Sequence, residues 1–347
     1  MSSSLEQHIF VPGLFEPLEV WHRDFEFTPS SPALVKQLSR SKKSKQVHSG
    51  LLASVYALLG NHSKKKNSSH AHACYTFDVG ETSPKDVLCA APIELEAGMS
   101  DIVVGHSVID DLDRNECQQL AQLLNNHFSQ DGWEFVFTET KVSEKNEGAI
   151  RWYLLLPEKT RPNNTVPLYD ALGASLRTLV EGTEDVQWSR QLNELQMLLF
   201  SSSTNQQRES SRKRSISSFW LWDVDVDSKK SSTVGTVDFI AGGGYEGQVI
   251  ANAYGLEWSK LLSMNTKQQN QGSGLYIYDD LIIPASRNDL EGWQDNLSGL
   301  EVFLADLLDN SAISTTLHSC NGYSWNLKNK NVWSFLSKRK KTLLDFI

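Results

Sequence analysis

The sequence predicts an α/β protein, a mostly parallel sheet flanked by helices with an α+β portion inserted into it. Three observations carry the expectation. Apolar strand-like runs alternate with 3.6-residue apolar periods along most of the 347 residues. A glycine-rich turn joins a strand directly to a helix in TVDFIAGGGYEGQVIANAYGLEW. The length and the 39% apolar content suit one large folded unit over 1–347, with a smaller inserted subdomain at about 106–215.

In chain order, Ile9 to Val11 reads as a strand stopped by Pro12-Gly13. Ser31 and Pro32 open a helix as N-cap and first residue, with Leu34, Val35 and Leu38 on its apolar face. Ser39 to Gln46 reads as a solvated basic helix end, and Gly50 to Gly60 as a short apolar helix between glycines. His62, His70, His72 and Cys74 fall in a stretch read as a polar loop entering a strand, where a metal is the weaker reading. Val87 to Gly105 reads as short β runs, and Asp110 to Phe128 as a helix with acids in its first turn. Trp133 to Thr138 and Ile150 to Leu156 are expected as strands, with Arg151 an exposed strand charge or a ligand contact.

Pro167 to Asp185 reads as a short helix, and the stretch Trp188 to Trp222 follows it. Beyond it, Gly242, Gly244 and Gly247 form G-x-G-x-x-G between strand and helix, a dinucleotide pattern whose ribose-binding acid is missing downstream. Gly274 to Ser286 reads as a strand and a β-like continuation, with Asp279 and Asp280 at a turn between them. Asp289 to Asn310 is the longest regular helix, and Thr315 to Leu327 a hairpin turning at Asn321-Gly322 as type I′. Lys338 to Lys341 reads as a solvated basic tail.

A formal charge of −9 and a pI near 5.5 weigh against a surface given over to nucleic acid. No apolar run approaches the roughly 18 residues of a membrane span, and no secretory signal pattern opens the chain, so the expectation is a cytoplasmic protein. Cys74, Cys89, Cys117 and Cys320 contain no CxxC pair and read as thiols.

From Trp188 to Leu199 the helical period places Trp188, Leu192, Leu195 and Leu199 on one face, with Asn193, Gln196 and Phe200 on a neighbouring one. Amides beside an apolar stripe either bond to backbone or point into a cavity. The polar run that follows carries Asn205, Arg208 and Glu209, and the aromatic strand after it carries Trp220 and Trp222.

WSRQLNELQMLL, TNQQRE and SFWLW in this order resemble the bacterial family of RpfE-type regulatory, cofactor-independent phosphoglycerate mutase-like proteins, whose pattern is roughly LNEIQMLLHxHPVNxxREAxGxxPVNSLWLWGGG. PALVKQLSRS, LAQLLNNHF, RWYL and NVWSFLSKRKK lie in family order around it. The resemblance implies an alkaline phosphatase or phosphoglycerate mutase-like α/β fold. In that superfamily two metal ions and a Ser or Thr nucleophile carry phosphoryl transfer, and no such residues are assigned in this chain. The family's His and glycines are replaced here by Ser202, Ser203 and Thr204 and by Asp223, Val224 and Asp225.

The expectation is therefore a non-catalytic regulatory or ligand-binding protein without cofactor or metal, taking a small anionic ligand or a protein partner. Its candidate ligand residues are Arg151, Asn193, Glu194, Gln196, Asn205, Arg208, Glu209, Trp220 and Trp222. The alternatives are a metal-dependent phosphohydrolase or phosphomutase using Asp223, Asp225, Asp279 and Asp280, and a nucleic-acid-associated protein using Arg208, Arg212, Lys213, Arg214 and Lys338 to Lys341.

Overall fold

The computed structural model describes residues 5–60, 72–77, 85–98, 101–141, 148–162, 165–180, 186–224, 237–261, 272–308, 313–327 and 341–347. The chain divides into two compact units, Met1–Ser69 with Val226–Ile347, and His70–Asp225. The inserted portion is thus wider than the 106–215 expected from the sequence.

The first unit holds a seven-stranded sheet in the order β2-β12-β11-β1-β10-β8-β9. Its strands are β1 (Glu6–Phe10), β2 (Lys42–Lys45), β8 (Phe239–Gly242), β9 (Glu257–Ser259), β10 (Gly274–Ile277), β11 (Ser314–His318) and β12 (Tyr323–Leu327). From β11 to β9 all neighbours are parallel, and β12 and β2 close one edge antiparallel. Parallel strands need both faces covered, which is why β8 and β10 read as unbroken apolar runs rather than alternating ones, and why even Gln7 and His8 of β1 are buried.

The helices of this unit are α1 (Leu18–Phe25), α2 (Pro32–Arg40), α3 (Leu51–Leu59), α10 (Gly244–Tyr254), α11 (Ile282–Ser286) and α12 (Leu290–Leu307). Trp293, Leu297, Leu300, Leu304 and Leu307 of α12 enter the core, where Trp293 meets Trp21 edge-on at 5.6 Å. Ser31 precedes α2, but its hydroxyl donates to Glu301 of α12 at 2.7 Å, and the same carboxylate caps Leu34 N–H at 2.8 Å. The cap comes from a distant helix, where the sequence suggested a local one.

Three other expectations change here. The basic segment after α2 is the exposed edge strand β2, whose three lysines discourage edge-to-edge pairing. The β-like continuation after β10 is the short helix α11. The β11–β12 connection is not a type I′ turn: Cys320 (φ 62°) and Gly322 (φ 89°) are left-handed, and Asn321 is not.

The second unit is a five-stranded antiparallel sheet, β4-β3-β6-β5 with β7 also on β3. Its strands are β3 (Lys85–Ala97), β4 (Ile102–Val108), β5 (Glu134–Lys141), β6 (Gly148–Pro157) and β7 (Ser218–Trp222). The run expected as short β pieces is largely the single strand β3, which pairs β6 along Lys85–Ala90, β7 along Cys89–Ile93 and β4 from Ile93 to Ala97.

Its helices are α4 (His72–Thr76), α5 (Arg114–Phe128), α6 (Leu168–Ala171), α7 (Leu176–Val180), α8 (Val186–Phe200) and α9 (Ser203–Ser210). Asp113 and Glu116 form a capping box on α5, whose Cys117, Leu120, Leu124 and Phe128 are buried as the period requires. The stretch expected to enter a strand at His72 and Cys74 is helical; His62 and His70 lie outside the described residues. The helix expected from Pro167 is the pair α6 and α7. No described helix is long and apolar enough to cross a membrane, and all four cysteines are thiols.

Candidate functional site

The stretch from α8 to β7 builds the centre of the second unit. Trp188, Leu195 and Leu199 of α8 are buried in its core with Phe219 and Leu221 of β7, and Leu192 packs against them. The polar run between them is the helix α9, which begins at Ser202, whose hydroxyl accepts from Asn205 N–H at 3.2 Å.

Asn205 and Arg208, both buried, hold this connection together. Asn205 Nδ2 donates to the carbonyls of Leu199 and Ile216, each at 2.8 Å, and its Oδ1 accepts from Ile216 N–H at 2.8 Å. One amide thus ties the end of α8 to the entry of β7. Arg208, 1% exposed, donates Nε to the Arg214 carbonyl at 2.7 Å, Nη1 to Glu116 at 2.9 Å and Nη2 to Asp111 at 2.6 Å. Burial raises the Asp111 carboxyl, but the Arg208 bond and charge, with Lys213, hold it below its usual value. Every nitrogen of the guanidinium serves the fold.

Beside this connection, α7, α8, β3 and β7 enclose a pocket of ≈ 50 Å³. Trp188, Leu192, Gln196, Ser218 and Trp220 line it with Thr165 and further apolar side chains, and Trp220 is steadied by its Nε1 donating to the Val166 carbonyl at 2.9 Å. Gln196 and Trp220 are the candidates that meet here. The others sit elsewhere. Asn193 is exposed on α8, and Glu194 pairs with Arg190 at 2.8 Å and His127 at 3.5 Å. Glu209 accepts from the Ser215 hydroxyl at 2.8 Å on the surface. Arg151 lies in β6 opposite Thr138, and Trp222 stacks on the buried His72 at 5.3 Å. Asn193, Asn205 and Arg208 are therefore not on the lining of this pocket. Phe200, expected beside them, is 86% exposed.

Sequence reasoning missed Ser218 and the role of Trp188 as lining. Both lie on elements it found, α8 and β7, but which wall faces a gap depends on α7, whose separate start at Leu176 left no clear signal.

Asp223 is buried and accepts from the N–H groups of Ala73 at 2.9 Å and Val224 at 2.7 Å. Its other oxygen faces Arg161 Nη1 at 3.1 Å as an ion pair without the alignment of a hydrogen bond. Burial pushes its carboxyl up to about 6 against the pull of Arg161 and these N–H groups.

In the first unit, β8 connects through α10 towards β9 while β10 connects across β1 to β11, so the chain departs in opposite directions from two neighbouring strand ends. Such switch points are where open α/β sheets bind ligands. Gly242, Gly243 and Gly244 open α10 there as the strand-to-helix pattern requires. The half-buried Asp279 lies near the Gly243 N–H, and burial pushes its carboxyl up to about 6, beside Asp280. A carboxylate of the chain itself thus stands beside an N–H that a dinucleotide phosphate would need.

Asp225 and Lys338 to Lys340 lie outside the described residues. Among the described residues, no three or more His, Cys, Asp or Glu side chains gather to hold a metal ion. The paired ions implied by the resemblance have no matching donor set there. Of the basic run, Lys213 faces Glu116 at 3.8 Å, and Arg214 donates to the Ser107 hydroxyl at 2.8 Å and the Val108 carbonyl at 2.9 Å.

A buried pair of imidazoles also lies in the first unit, His8 Nδ1 3.1 Å from His318 Nε2. Burial lowers both, His318 to about 3 with the help of the His8 charge. Against an unfolded value of 6.5, the unfolded chain binds the His318 proton first, so its contribution to stability falls as pH drops from 6.5 towards 3, by about 1.4 kcal/mol per pH unit. Asp223 and Asp279 act oppositely: raised to about 6, they favour the fold as pH falls towards 3.8. The wild-type slope is therefore a difference, and His318→Gln isolates one side of it. Between pH 6 and 4 the variant is expected to lose about 2–3 kcal/mol less than wild type in urea titrations; parallel curves would contradict the assignment.

No known family model matches the chain, and no curated protein is similar to it. Among solved structures it is similar to a cofactor-independent phosphoglycerate mutase from Thermoplasma acidophilum DSM 1728, at 11% identity over 95% of this chain and 91% of that one, with a TM-score of 0.35. It is also similar to the PH0037 protein from Pyrococcus horikoshii, at 9% identity over 93% and 88%, with a TM-score of 0.40. Neither likeness defines a family or an activity for this chain.

Proposed function

We propose that the chain is a non-catalytic, ligand-binding protein of regulatory type, a divergent bacterial member of the RpfE-type, phosphoglycerate mutase-like class, and that its ligand enters the pocket beside α8. The observation that carries this reading is the pocket's lining: Gln196 and Trp220 of the distinctive stretch meet there with Trp188 and Ser218, and among the described residues no acid, base or thiol lines it. A hydroxyl such as that of Ser218 attacks only with a base beside it, and none of the described lining residues supplies one; binding needs no such group. Asn205 and Arg208 support the same reading by spending their polar atoms on the fold.

Among the described residues the lining also lacks a cation, so the part of the ligand it takes is apolar with one hydrogen-bonding group, and any anionic part stays outside. The volume of ≈ 50 Å³ is well below the roughly 150 Å³ that takes benzene and suits a branched aliphatic end. Calorimetry with 3-methyl-1-butanol and 3-methylbutanoate tests the proposal. The alcohol is expected to bind at least tenfold more tightly than the carboxylate, and Ser218→Phe, which fills the pocket, to abolish the heat. Equal affinities, or binding untouched by Ser218→Phe, would sink it.

A further inference from the structure

We infer that the first unit carries a second ligand site, a cleft at the carboxyl end of β11 that takes a small uncharged molecule bearing a hydrogen-bond donor, received by Nδ1 of His318. The cleft measures ≈ 120 Å³ and lies between α3 and the β11–β12 loop. That is close to the roughly 150 Å³ of an apolar cavity that takes up benzene. It also lies where open α/β sheets receive ligands, beyond the end of a strand in the parallel part of the sheet.

The chemistry of the lining selects the class. Gln46, His48, Ser54, His318 and Cys320 contribute polar atoms, and among the described residues no Asp, Glu, Lys or Arg lines it. A charged molecule would lose its hydration there without a counter-charge, whereas a neutral one would not. Gln46 is already committed, donating Nε2 to the Ser324 hydroxyl at 2.6 Å.

His318 is set as an acceptor by the residues behind it. Glu6 Oε2 lies 3.7 Å from His8 Nε2, beyond hydrogen-bond reach, and its charge favours the tautomer that keeps the His8 proton on that nitrogen and leaves Nδ1 to accept. His318 Nε2, 3.1 Å from that Nδ1, is then the donor. What remains on the His318 ring is an Nδ1 lone pair. Cys320 adds a rim held at φ 62°, a left-handed backbone that side chains beyond glycine adopt at a cost and that recurs at binding sites.

The test uses the full chain with phenol, a ring carrying one donor, and toluene, a ring of similar size carrying none. Nitrogen-15 correlation spectra of the histidine rings are expected to show saturable phenol binding that moves the His318 Nδ1 signal, at least tenfold tighter than toluene. His318→Phe should erase the preference. Because His318 is buried and stacked on Phe10 at 4.5 Å, Ala57→Phe is the companion variant: it fills the cleft from the half-buried outer part of α3 and should abolish phenol binding without lowering the melting temperature. Equal affinity for phenol and toluene, or phenol binding undiminished by Ala57→Phe, would overturn the assignment.

Discussion

Arg208→Ala is expected to destabilise the fold by about 3–5 kcal/mol, the range for removing one partner of a buried ion pair. The side chain is 1% exposed and makes three bonds, to the Arg214 carbonyl, Glu116 and Asp111. Its loss leaves Glu116, whose side chain is 12% exposed, without its main counter-charge, while Asp111 at 48% can turn to water. The cost therefore comes mainly from Glu116, the orphaned Arg214 carbonyl and the emptied volume. Arg208→Lys should fall between, since an ammonium keeps one charge contact but cannot span three acceptors. Urea unfolding followed by tryptophan fluorescence measures both; a loss under about 1 kcal/mol for the alanine variant would mean that the cluster holds little.

The second large effect reverses a usual sign. Glycine to alanine inside a helix ordinarily gains about 1 kcal/mol, yet Gly247→Ala in α10 is expected to cost more than about 3 kcal/mol, the scale of serious overpacking. A β-carbon on Gly247 would sit 2.2 Å from the Gly242 carbonyl oxygen and 3.2 Å from Trp258 Nε1, which itself donates to that oxygen at 3.1 Å. Backbone cannot swing aside, so α10 would have to lift from β8. Gly244→Ala is the matched control: nothing lies within 4 Å, and only its φ of 50° opposes a side chain, at about 1–2 kcal/mol. Thermal unfolding of the two variants separates crowding from conformation. Equal losses would remove the close-packing explanation.

The glycines illustrate what could be read in advance. Their spacing between a strand and a helix was legible as G-x-G-x-x-G, because close approach of helix to strand needs that pattern with or without a phosphate. That Asp279 lies near the Gly243 N–H was not legible, since the two residues come together only through the parallel pairing of β10 with β8. In the same way, the buried face of α8 followed from its period, but the helical state of Ser203–Ser210 did not. That run has no apolar stripe, and it is held by Ser202, Asn205 and Arg208 bonding to residues on either side. Asn193 and Gln196 share a face by spacing, yet one is exposed and the other lines the pocket, because α7 and β7 cover only part of that face. Local periods fix an element, while partners from far along the chain decide which of its polar groups are spent.

The division of labour between Arg208 as a holding residue and Gln196 as a contacting one is tested most directly by measuring melting temperature and 3-methyl-1-butanol affinity on the same two variants. Arg208→Lys should melt lower and, while folded, bind with unchanged affinity. Gln196→Leu should melt like wild type and bind at least tenfold more weakly. Loss of binding in Arg208→Lys without a lower melting temperature, with Gln196→Leu binding normally, would contradict it.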